Sequence, residues 1–144
     1  MRRHLLVSFD DSALSDRTLS FACSTFPEDR ITVMYVVDAH SDETAATGWG
    51  NTTDQYERWL ESRREFADEL LGHAQSLADE YGSTLETVVA IGRVRDAIVD
   101  YSADHDVDLV VMGFHPRSRL SAYLAGEFSE RVIRTSDLPV ALVK

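Results

Sequence analysis

Five short runs of aliphatic and β-branched residues punctuate the chain, and stretches of helical periodicity separate them. They are HLLVSF (residues 4 to 9), ITVMYVV (31 to 37), STLETVVAI (83 to 91), DLVVMG (108 to 113) and LPVALV (138 to 143). A continuous apolar stretch such as Leu109, Val110, Val111 and Met112 has no polar face to turn toward water. It predicts a strand covered on both sides, as parallel sheets require. The third run instead alternates at Leu85, Thr87, Val89 and Ile91. Strand alternating with helix predicts right-handed crossovers and a single-domain α/β fold over residues 1–144. Its core is an open parallel five-stranded sheet with helices on both faces.

The intervening segments carry helix signals. Ser12 is a natural N-cap for a first helix that turns Leu14, Phe21 and Ala22 to one side. Over residues 54 to 81, Trp59, Phe66, Leu70, Leu77 and Tyr81 form one apolar stripe fit to pack on a sheet. Gly82 follows where a helix-ending glycine belongs. A third helix over residues 94 to 104 places Val94, Ala97, Ile98 and Tyr101 on one face. A fourth, over residues 126 to 136, turns Phe128, Val132 and Ile133 inward. Residues 38 to 53 have turn composition and no period, and read as a surface loop with Trp49 as its packed anchor.

Composition narrows the function classes. The 144 residues suffice for one core but no bilayer-spanning run, and the N-terminal apolar stretch is too short for a signal peptide. A cytoplasmic protein is the expectation. The 25 acidic residues outnumber the 14 basic ones, for a formal net charge of −11. Such a surface repels nucleic acid and anionic membranes. Lys144 is the single lysine, the remaining basic residues being arginines, and this acid-rich, lysine-poor balance points to a halophilic, high-salt habitat. The single cysteine, Cys23, excludes an internal disulfide and reads as a buried thiol. The histidines His4, His40, His73, His105 and His115 are scattered, so no metal site is expected.

In open parallel sheets ligands bind outside the carboxyl ends of the strands, where strand order reverses. Those ends carry Ser8, Phe9, Asp10 and Asp11 after the first strand, Val37 and Asp38 after the second, and Gly113 after the fourth. After Gly113 comes a loop rich in Arg and Ser, then Gly126 and a helix start, whose unpaired N–H groups suit an anion. Ser8, Asp10 and His115 do not make a hydrolase triad, because no G-x-S-x-G elbow is present. A phosphoacceptor site built on Asp10 and Asp11 lacks its further acid after the third strand, which runs into Gly92. Slow nucleotide hydrolysis would have only Asp10 and Asp38 to supply a base and a metal ligand. No catalytic residue is assigned.

The segment VVMGFHPRSRLSAYLAGEFSERVI (residues 110 to 133) resembles the universal stress protein family, whose nucleotide-binding members carry G-x2-G-x9-G-[S/T] between the fourth strand and fourth helix. LLVSFDDSALSDRTLSFA and SERVIRTSDLPVALVK are similar to the family's opening and closing segments. The resemblance implies a Rossmann-like sheet of the adenine-nucleotide α-hydrolase type, with strand order 3-2-1-4-5. It also implies a site for ATP or AMP. There Asp10 would meet the adenine or ribose, Val36 would line the base pocket, Gly113 and Gly126 would admit the phosphates, and Ser129 would add a hydroxyl. Dimerisation through the last strand, Pro139 to Val143, is implied too.

Two positions depart from the family pattern. Pro116 stands at the second glycine and has no N–H to offer. Glu127 stands at the Ser/Thr position, where its carboxylate can satisfy the helix dipole itself. Two like charges about 4 Å apart near a surface repel by roughly 4 kcal/mol, and molar salt recovers part of that. Arg117 and Arg119 stand in the same loop, within reach of a phosphate tail. The loop is therefore read as degenerate toward ATP. The favoured reading is a homodimeric stress-response interaction module without nucleotide; the alternative is an adenine-nucleotide sensor using this loop as its cradle.

Overall fold

A computed structural model describes residues 2–38, 53–114, 134 and 137–144. Its elements are β1 (His4–Ser8), α1 (Ala13–Thr25), β2 (Arg30–Val37), α2 (Thr53–Asp79), β3 (Leu85–Ile91), α3 (Val94–Asp104), β4 (Leu109–Gly113) and β5 (Val140–Val143). The five strands form one parallel sheet in the order β3-β2-β1-β4-β5, as expected. The third helix keeps its expected bounds and the first starts after Ser12 as expected, while the strands and the long helix differ from their sequence bounds by one or two residues at the ends. The expected loop around Trp49 lies outside the described residues. So does the expected fourth helix, except for Arg134, which is helical.

Strand periodicity divides the core into two layers. Leu5, Val7, Ile31, Val33, Tyr35, Val37 and Val111 face α1 and α2. Leu6, Met34, Val110 and Met112 face α3, whose Val94, Ala97, Ile98 and Tyr101 meet them as the sequence predicts. The central strands β1, β2 and β4 are thus buried on both sides, which is why their sequences read as unbroken apolar runs.

Two helix faces differ from the sequence reading. The inward side of α1 is Ser15, Thr18, Leu19, Ala22 and Cys23, while Phe21 is exposed and meets Phe26 edge to face. In α2 the deepest positions besides Trp59 are Ala67, Leu71, Ala74 and Ala78. Phe66, Leu70 and Leu77 flank that row, and Tyr81 is exposed. The reason is common to both: small residues at the line of contact let a helix lie close on a sheet, and larger ones fit only at its margins. The end of α2 is as expected. Gly82 takes φ +70°, and the Ser83 N–H donates to the Ala78 carbonyl across it.

The edge strand β3 departs from the alternation read in its sequence. Only Leu85 is buried on the α2 side, whereas Thr87, Val89 and Ile91 on the same row are exposed. The cause is position: β3 has a strand on one side only, and α2 covers just its start. Cys23 is buried, and burial pushes its thiol pKa up despite a hydrogen bond from Ser83.

Candidate functional site at the carboxyl ends of the strands

The order 3-2-1-4-5 places the reversal between β1 and β4, so the expected ligand crevice opens above these two strands. Phe9 continues β1 by donating its N–H to the Met34 carbonyl at 2.9 Å, and its side chain is buried. The chain then turns at Asp10, Asp11 and Ser12 into α1. Ser12 caps that helix as the sequence predicts: its backbone is extended, and its hydroxyl accepts the Ser15 N–H at 3.3 Å.

Asp10 is held more firmly than a turn acid needs to be. Its Oδ1 accepts the Ser12 N–H at 2.9 Å and the Ser15 hydroxyl at 2.7 Å. The Asp10 N–H in turn donates to the Ser15 oxygen at 2.8 Å. Ser15 is buried, so this geometry is fixed from below, and the carboxylate stands at the positive end of α1. Ser15 is the residue of the candidate site that sequence reasoning missed. Its signal was the spacing Ser12-x-x-Ser15, a capping-box variant whose second member reaches back past the N-cap to Asp10.

Val36 is the penultimate residue of β2 and packs, half-buried, with the α3-side layer. Gly113 ends β4; Val111 pairs with Val7, so Gly113 stands level with Phe9. Asp10, Val36 and Gly113 therefore lie at the carboxyl ends of three adjacent strands, as the sequence places them. The packing explains Gly113 by itself. A Cβ there would come within 2.8 Å of Leu14 Cδ2, 2.9 Å of Leu14 Cγ and 3.2 Å of Thr18 Oγ1. This glycine admits α1 against the tip of β4, whatever else approaches it. Gly126, Glu127 and Ser129, together with Pro116, Arg117 and Arg119, lie outside the described residues. Among the described residues no cluster of His, Cys, Asp or Glu is arranged to hold a metal ion, and no helix is long and apolar enough to cross a membrane.

The chain is similar throughout to known proteins of one kind. A universal stress protein of Methanocaldococcus jannaschii is 23% identical over 155 residues, covering 100% of this chain and 96% of that protein. The structure of UspA from Lactobacillus plantarum superposes with a TM-score of 0.79 at 20% identity, covering 100% of this chain and 99% of that one. A universal stress protein from Archaeoglobus fulgidus, solved in complex with dAMP, gives 0.65 at 22% identity over 99% and 98% of the two chains. Further solved relatives carry cAMP and AMP. The model of the universal stress protein family matches residues 1–144, end to end, and the five-stranded sheet in the order 3-2-1-4-5 agrees with it: the chain belongs to the universal stress protein family.

Proposed function

We propose that this protein is a stress-response module whose crevice above β1 and β4 takes an adenine nucleoside monophosphate. The observation that carries the reading is the anchored carboxylate of Asp10 at the point where strand order reverses. A carboxylate held there is an acceptor for the hydroxyls of a ribose, and the half-buried Val36 offers an apolar wall to a base. The relatives solved with dAMP, cAMP and AMP support a monophosphate, and they move the nucleotide reading ahead of the nucleotide-free one. Pro116 and Glu127 act at the phosphate end, where a missing N–H and an added carboxylate weigh more heavily against a triphosphate. The reading includes a cytoplasmic location, which a nucleotide ligand would suit, and the charge of −11 suits a salty cytoplasm.

The same reading includes a homodimer formed through Pro139 to Val143. It is supported by β5 forming the sheet edge and by Leu142 being 42% exposed there.

Calorimetric titration of AMP and ATP at molar KCl, with and without Mg²⁺, tests the ligand. Micromolar AMP with weaker ATP is expected. Tighter ATP would show that the altered loop still cradles three phosphates. Absence of heat for both, in folded protein, would leave the dimeric interaction module. Sedimentation of wild type against Leu142→Arg tests the dimer separately.

A further inference from the structure

The domain carries a further concavity against the edge strand β3, two strands away from β1. It lies between α2 and β3, has a volume of about 340 Å³, and is lined by Asp68, Leu71, Gly72, Leu85, Thr87 and Val89 among others. Three features of it bear on what it could receive. First, β3 has no strand partner on its outer side among the described residues, so its outward N–H and C=O groups form an open template. Second, the row of β3 that faces α2 leaves Val89 38% and Ile91 50% exposed. Third, Gly72 stands inside the continuous helix α2 with no packing need among the described residues. Its φ is not positive and a Cβ added there would meet nothing within 4 Å. A glycine inside a helix is unfavourable unless something must approach the backbone closely.

Charge says what kind of partner fits. Asp68 lines the groove, has no ion pair among the described residues, and no basic side chain lines the groove with it. Glu86, the acid on β3 itself, is already matched by Arg30. In the reading above a second copy sits at β5, on the opposite edge of the sheet, which leaves the edge of β3 to another protein. We propose that the groove receives an extended, cationic segment of another protein, which pairs with the edge of β3 as a sixth strand. Alternate side chains of that segment would enter the groove over Gly72, and its lysines or arginines would meet Asp68.

The test is an amide-shift titration of the full-length, isotope-labelled protein at physiological salt. The probe is a blocked peptide alternating lysine and valine; the control replaces its central valine with proline, which keeps the charge but breaks strand pairing. Saturable shifts confined to β3 and the facing turns of α2, at least tenfold weaker with the control, are expected. Val89→Lys, at an exposed position, and Gly72→Leu, which fills the groove, should each weaken the probe tenfold or more with the circular dichroism unchanged. Equal binding of both peptides, or shifts scattered over the acidic surface, would reduce the effect to bulk charge and overturn the proposal. So would absence of shifts, or a concentration-dependent dimer that Val89→Lys abolishes, which would give the face to a second copy.

Discussion

Ser15 and Asp10 hold each other by two hydrogen bonds in opposite senses. The buried Ser15 hydroxyl donates to Asp10 Oδ1 at 2.7 Å and accepts the Asp10 N–H at 2.8 Å. One hydroxyl thereby joins the first turn of α1 to the chain leaving β1. Ser15→Ala removes both bonds, while Asp10 Oδ1 keeps the Ser12 N–H. A loss of about 1–2 kcal/mol in chemical denaturation is expected. Calorimetry should show AMP affinity falling in Ser15→Ala as well as in Asp10→Ala, because the first variant loosens the carboxylate that the second deletes.

Gly113 is a packing glycine toward α1. The Cβ of Gly113→Ala would press on Leu14 Cδ2 and Cγ, inside normal contact distance. Overpacking of this kind costs about 1–3 kcal/mol. Shortening the opposing side chain should relieve it, so Leu14→Ala combined with Gly113→Ala is expected to be less destabilised than the sum of the single variants. A double-mutant cycle by thermal or urea denaturation reads that coupling. Strict additivity would show that Leu14 simply rotates away.

Gly72→Ala should stabilise the free protein. Its Cβ stands in open space on the exposed side of α2, so only helix propensity changes, worth up to about 1 kcal/mol. For a domain of this size that is a rise in Tm of about 2–4 °C per kcal/mol. A fall in Tm instead would mean that the backbone near Gly72 needs glycine for a reason internal to the domain.

Acid should weaken the joint between β2 and the edge strand β3. Arg30 reaches from β2 to Glu86 on β3, with its NH2 group 2.7 Å from Glu86 Oε2. The hydrogen bonds from Arg30, and then its charge, hold the Glu86 carboxyl below its ordinary pKa against a smaller opposing effect of desolvation. At Asp29, desolvation pulls upward, yet hydrogen bonds from the Arg3 side chain and backbone outweigh it and leave the pKa lowered. A carboxyl whose folded pKa is depressed adds stability above its unfolded pKa, about 4 for these residues, and loses it as pH falls through the folded value. Stability should therefore decline on acidification below about pH 5, and less steeply in Arg30→Met than in wild type. Urea midpoints measured from pH 7 down to pH 3 check this. The Arg30–Glu86 pair is solvent-exposed on both sides, so the change in slope should be small.

Local patterns in the sequence were enough for the strands, the Ser12 cap, the Gly82 stop and the whole of α3. Each depends on neighbours a few residues away, and unbroken apolar runs such as that of β4 declare burial on both faces without any knowledge of the partner strands. The family resemblance supplied the strand order and pointed to Asp10, Val36 and Gly113. What the linear pattern did not contain was depth. Phe21 and Tyr81 look like core residues by type, but the contact lines of α1 and α2 run through Ser15, Thr18, Ala67, Ala74 and Ala78. The closest approach of a helix to a sheet selects small side chains, and only the packed structure says where that line falls. The same holds for Ser15, whose partner Asp10 lies outside the helix, and for Gly113, whose need for a bare Cα comes from Leu14 a hundred residues away in the chain. Val89 and Ile91 share the alternating row of Leu85 in the sequence, yet stand exposed because β3 lies at the edge of the sheet, a property that no strand possesses until the others have taken their places.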